Sequence, residues 1–160
     1  SAARAAVSRP PTAPSSRWPW AAPPTTRTNE VAPVAAGEPF TAAQRHEIDR
    51  AIRDAETLCR YEFSVFVGRS EGESRPFAER LHATLVAPER SVLVLVDPAA
   101  KLLEIVTGTE ARRVLDDAEV HLAVLAMQSA FAAGDLVGGI VQGVQQLAEH
   151  ARRPQVRHGS

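Results

Sequence analysis

Apolar residues recur at helical spacing from Ile48 onward. Ile48, Ala51, Ile52, Ala55 and Leu58 share one face, and Glu47, Arg50, Arg53, Asp54 and Glu56 share the other. This pattern predicts an amphipathic helix near 42–59. At its start, Thr41-Ala42-Ala43-Gln44 has the spacing of a capping box. From Tyr61 to Val67 the chain is rich in β-formers, with Phe63, Val65 and Val67 alternating against Ser64 and the apolar Phe66. A polar loop follows over 68–73. Ser74 and Pro76 open a second helix with the stripe Phe77, Leu81 and Leu85, and Pro88 ends that segment.

The run Ser91 to Asp97 is apolar throughout its interior, which predicts a strand covered on both faces. Pro98 to Lys101 reads as a tight turn into a second strand over 102–107, paired antiparallel with the first, and Gly108 breaks it. Thr109 can cap a short helix over 110–115. Asp116 and Asp117 then precede Val120, Ala123, Val124, Met127, Ala130 and Phe131. This helix is apolar nearly all round, so the pattern predicts that it is the most buried of the set. Gly134 fits its end and Asp135 the cap of the next helix, whose stripe includes Val137, Ile140, Val144 and Leu147. Gly138, Gly139 and Gly143 each weaken that helix by about 1 kcal/mol, so close approach of its backbone to a neighbouring element is expected there. The element order is α-β-α-β-β-α-α-α, an α/β chain. Its strand-helix-strand crossover from 61 to 97 should be parallel and right-handed.

Composition sets limits on this picture. The chain has 160 residues, 44% of them hydrophobic and 23% charged, as in a globular protein. Its formal net charge of −1 gives no strong field toward nucleic acid or an anionic membrane. A single cysteine, Cys59, excludes an internal disulfide and a Cys-rich zinc site. No apolar stretch approaches the roughly eighteen residues of a membrane span. Residues 1–38 read as a disordered proline-rich arm, because such a composition buries too little apolar surface to offset chain entropy. Within the arm, Pro10, Pro11 and Pro14 interrupt any signal-like apolar core. Trp18 and Trp20 are candidate anchors for a partner, since tryptophans often dominate interfaces. Residues 39–151 form the expected domain and 152–160 a basic disordered tail.

The succession SVLVLVDPAAKLLEIVTG, then Leu115-Asp116-Asp117, then Phe131 leading to Gly134-Asp135 and Gly139 resembles the TPM domain. That family includes a thylakoid lumen phosphatase, photosystem II repair proteins and a nicotinic-receptor modulator. The chain looks most like an actinobacterial branch of unknown function. The resemblance implies a three-layer α/β/α sandwich with a small mixed sheet. It also implies divalent-metal binding, acid phosphatase activity in some members, and accessory roles in membrane or envelope complexes in others. The sequence departs from the family pattern at Gly108-Thr109-Glu110-Ala111 and at Pro88-Glu89-Arg90.

Asp97, Asp116 and Asp117 are the candidate ligands for Ca²⁺ or Mg²⁺, which need several converging oxygens. Against this stands a simpler expectation: Asp97 starts a turn, and Asp116, Asp117 and Asp135 cap helices. The histidines lack metal-site spacing, and His46 and His150 are expected on solvated helix faces. Cys59 lies near a helix C-terminus, which does not activate a thiol. Nucleophile-elbow and phosphate-loop motifs are absent from the sequence. The expected function is therefore a noncatalytic interaction or accessory module with a protein partner, located in the cytoplasm or at the periphery of a membrane. The alternative is a metal-dependent acid phosphatase, with Asp97, Asp116 and Asp117 holding the ion that activates water.

Overall fold

The computed structural model describes residues 40–152 of the chain. The first helix, α1, runs Ala42–Cys59. Its capping box forms in both directions: Gln44 N donates to Thr41 Oγ1 at 3.0 Å and Thr41 N to Gln44 Oε1 at 2.9 Å. Two orphan amides are thereby satisfied where the apolar stripe begins. The helix ends at Arg60, a non-glycine residue in the left-handed region with φ of 68°. Arg90 holds this turn by donating to the Arg60 carbonyl, with its guanidinium 4.7 Å from the Tyr61 ring centroid.

Three strands form one mixed sheet: β1 (Glu62–Val67), β2 (Ser91–Asp97) and β3 (Leu102–Thr107), in the order β1-β2-β3. β1 lies parallel to β2, with Phe63 level with Val92 and Val67 with Val96. β3 lies antiparallel to β2, pairing Leu102 with Asp97 and Thr107 with Val92. The β1–β2 crossover contains α2 (Ser74–Ala83) and a short 3-10 turn at Pro88–Arg90. Gly108 follows β3 so closely under the Pro88–Glu89 backbone that an added Cβ would lie 1.9 Å from the Pro88 oxygen. The expected short helix over 110–115 is a 3-10 turn at Ala111–Arg113.

The alternation along the strands divides the interior in two. Phe63, Val65, Val92, Val94 and Ile105 face the larger core, which α1 and two C-terminal helices complete. Phe66, Leu93, Leu95 and Val106 face α2, against Ala78 and the partly buried Phe77, Leu81 and Leu85. Every residue of β2 is buried, as the continuous apolar run requires of a central strand. Helices thus cover both faces of a small mixed sheet, and the element order is the one the sequence predicts.

The last two helices are α3 (Asp117–Ala132) and α4 (Leu136–Arg152). Gly134, with φ of 89°, turns the chain between them, and Asp135 Oδ1 accepts from Gly138 N at 2.8 Å to cap α4. The two helices pack antiparallel. A Cβ on Gly139 would come within 2.6 Å of the Phe131 ring, and one on Gly143 within 2.2 Å of Met127 Sδ. Gly139 and Gly143 serve the close approach expected of them, whereas Gly138 leaves room for the Asp135 carboxylate that caps its own helix. The burial expected of α3 is not observed. It buries Ala123, Met127 and Phe131, whereas α4 buries nine residues. Among the described residues, no helix is long and apolar enough to cross a membrane.

Candidate functional site

Asp97 occupies the C-terminal end of β2, the end of a parallel strand pair where α/β proteins commonly bind ligands. It is 4% exposed, and both carboxylate oxygens are engaged. Oδ2 accepts from Ser70 N at 2.9 Å and from Ser70 Oγ at 3.2 Å; Oδ1 accepts from Ala100 N at 3.1 Å. One side chain therefore ties the 68–73 loop to the turn between β2 and β3. A buried carboxylate is tolerated because three donors replace its water.

Asp116 and Asp117 lie elsewhere. β3 runs from Leu102, beside Asp97, back to Thr107, beside Val92, and Gly108 N then bonds Ser91 O at 2.9 Å. That return carries the chain roughly 20 Å, at about 3.3 Å per residue, before it leads on to α3. Asp116 is the N-cap of α3: Glu119 N donates to its Oδ1 at 2.9 Å, and Asp116 N donates to Glu119 Oε1 at 3.2 Å. Asp117 sits exposed in the first turn, where the helix dipole favours an acid. The three aspartates are not brought together. Among the described residues, no group of three or more His, Cys, Asp or Glu side chains could hold a metal ion. Trp18 and Trp20 lie outside the described residues.

His46 is exposed, as expected, whereas His150 is only partly so. His82 is buried, with Nε2 2.9 Å from the Ser91 carbonyl. A carbonyl only accepts, so this contact places the proton on Nε2. His150, in the last turn of α4, has a buried Nδ1 that lies 3.5 Å from Glu119 Oε2. This sets the end of α4 beside the capping box of α3, with no hydrogen bond to that nitrogen among the described residues. Cys59 is buried, and burial pushes its thiol above the ordinary range. This is the state of a packed thiol rather than a nucleophile.

The feature that sequence reasoning missed is the outer face of α3. Ala118, Leu122, Leu125, Ser129 and Ala132 follow one another at alternating spacings of four and three, and all are exposed. Leu122 is 52% exposed and Leu125 49%, values that belong to a solvent-facing stripe rather than to a core. No Asp, Glu, Lys or Arg falls between Glu119 and Asp135. The inner face of the same helix is held by Met127 and Phe131 against the small residues of α4. α3 is thus fixed on one side and apolar on the other. The signal was present as the uniform apolarity of the helix, read there as deep burial. Separately, a shallow concavity of about 570 Å³ lies between α1 and α4, with Ala55, Leu58 and Ala148 in its wall beside the polar Asp54, Gln142 and Glu149.

Two curated relatives, uncharacterized proteins from two strains of Mycobacterium tuberculosis, are 26% identical to the chain over 110 residues. The match covers 69% of this chain and 66% of each relative, so about a third of each relative's length lies outside it. Among solved structures, the BA42 protein of Bizionia argentinensis is 25% identical, with a TM-score of 0.65 over 70% of this chain and 81% of its own. The N-terminal domain of a Corynebacterium glutamicum protein, 16% identical, has a TM-score of 0.57 over 76% of this chain and 78% of its own. The N-terminal domain of a P. gingivalis protein, also 16% identical, gives 0.57 over 69% and 75%. These last two likenesses show the fold alone.

A family model described as a domain of unknown function, DUF5130, matches residues 25–148. This match overturns the assignment to the TPM domain. The pieces that carried the resemblance have local structural causes: Gly108 is a close backbone crossing, Asp116 an N-cap, and Gly134-Asp135 a helix break and cap. Such devices recur wherever short strands and helices alternate, so their order does not by itself identify a family. With most of its length, including every described strand, inside that match, the chain belongs to the DUF5130 family.

Proposed function

We propose that the chain is a noncatalytic protein-interaction module whose docking surface is the outer face of α3. The observation that carries this reading is the pair Leu122 and Leu125, each about half exposed in the middle of an uncharged helical stripe. Single exposed apolar residues are ordinary, and Val86 and Leu102 are examples. A stripe at alternating four- and three-residue spacing is different, because it is the seam on which one helix receives another. Its rigid backing favours recognition, since little order has to be acquired on docking.

A photo-crosslinking residue placed at Leu125 in the full chain, expressed in its host, tests the reading. The expected result is a protein adduct at Leu125 and much less at Glu47, an exposed position on α1. Equal yields at the two positions would refute it. The noncatalytic part is tested separately with p-nitrophenyl phosphate and millimolar Mg²⁺ or Ca²⁺. Turnover that disappears in Asp97→Asn would show an enzyme instead.

A further inference from the structure

The outer stripe of α3 has a symmetry in its side-chain sizes. Read from the N-terminal end, its first four residues run Ala118, Leu122, Leu125, Ser129: small, large, large, small, with Ala132 lying beyond the symmetric set. A two-fold axis crossing the helix midway between Leu122 and Leu125 would place Leu122 opposite Leu125 of a second copy, and Ala118 opposite Ser129. The stripe is therefore complementary to itself in the antiparallel sense. We propose that α3 pairs with α3 of a second copy of this chain, forming an isologous dimer. The proposal rests on α3 being a docking surface, and it names the occupant.

Charge selects the same arrangement. The acidic residues of α3, Asp117 and Glu119, both lie in its first turn, and the helix contains no Lys or Arg. In a parallel pair, Asp117 and Glu119 would face their own copies and the two helix dipoles would align, both unfavourable. About the antiparallel axis, Glu119 falls opposite Gln128 and Asp117 opposite Ala130, so no like charges meet along the seam. The dipoles then oppose. The same acidic first turn, with Asp135 beyond the other end, disfavours the rival occupant of anionic lipid, which attracts basic helices.

Size sets the strength. Sixteen residues make a helix about 24 Å long and about 10 Å across, a contact strip of a few hundred Å² per copy. Stable interfaces bury about 800 Å² per partner. The dimer is accordingly weak, and the free chain and the pair exchange.

Sedimentation equilibrium on the full chain, from about 10 μM to about 1 mM, reads this directly. The expected weight-average mass rises with concentration from 17.2 kDa toward twice that value. The double variant L122D/L125D should remain at the monomer mass while keeping its helical circular dichroism. A second measurement tests the axis. Leu122→Cys and Leu125→Cys chains, mixed in equal amounts under oxidising conditions, should form the 122–125 mixed disulfide well beyond the one-half share that random pairing gives, with buried Cys59 unreacted. A wild-type chain that stays monomeric throughout overturns self-pairing. So does a dimer indifferent to L122D/L125D, or a dominant 122–122 link. The broader module reading falls separately, on the absence of any adduct at Leu125; an adduct carrying another protein's mass overturns only the second copy as occupant.

Discussion

α3 and α4 are neighbouring antiparallel helices of 16 and 17 residues, and they use their apolar residues in opposite ways. α4 is interrupted by three glycines and carries Gln142, Gln145, Gln146 and Glu149 along one side, yet it buries nine residues. α3 has no glycine and almost no charge, yet it buries three. Apolar content therefore does not measure depth. A helix becomes central when its apolar side chains share one stripe and its neighbours can come close. Gly139 and Gly143 permit that approach, and α4 lies between α1 and α3. α3 reaches the same core through the line of Ala123, Met127 and Phe131, with Val120 and Val124 packed beside it, which leaves Leu122 and Leu125 facing outward.

Cutting that line should have the largest effect. Met127 is 1% exposed and lies over Gly143, so Met127→Ala should cost about 2–5 kcal/mol, read as a fall in the urea midpoint. A smaller loss is expected from the other side of the contact. Gly139→Leu would drive a side chain into the Phe131 ring, and overpacking of this kind costs about 1–3 kcal/mol despite the gain in helix propensity. Thermal unfolding would check it; an unchanged midpoint would mean that the helices separate freely. Asp116→Ala removes the cap of α3, and a loss near 1 kcal/mol is expected in the same assay, with little change in α4. Least affected should be the outer face. Leu122→Ser or Leu125→Ser should leave monomer stability within about 0.5 kcal/mol, while weakening association in sedimentation. A stability loss as large as that of Met127→Ala would place the outer leucines in the core and remove the contrast between the helices.

Much of the fold was legible because its signals are local. Thr41 and Gln44 are three residues apart, so the hydrogen bonds that start α1 are formed between near neighbours. Asp116 with Glu119, and Asp135 with Gly138, mark the starts of α3 and α4 in the same way. The hairpin is equally local: an apolar run, a turn and a second run can pair only nearby. The site was less legible. Asp97 was recognisable as a strand-end carboxylate, but its partner Ser70 is 27 residues away, and nothing in the pattern joins them. His150 and Glu119 meet only because α3 and α4 fold back on each other. His82 is buried against the Ser91 carbonyl, nine positions on, a contact that no local pattern marks.

Hydrophobic period, turn residues and caps by themselves determined the elements, their order and the two-sided burial of β2, because each depends on residues a few positions apart. Only the tertiary structure decided which face of α3 meets water, and that Asp97 and Asp116 serve separate ends of the fold. Such outcomes depend on how several elements share a limited interior. A uniformly apolar helix cannot encode in its own residues which of its sides the rest of the chain will leave uncovered.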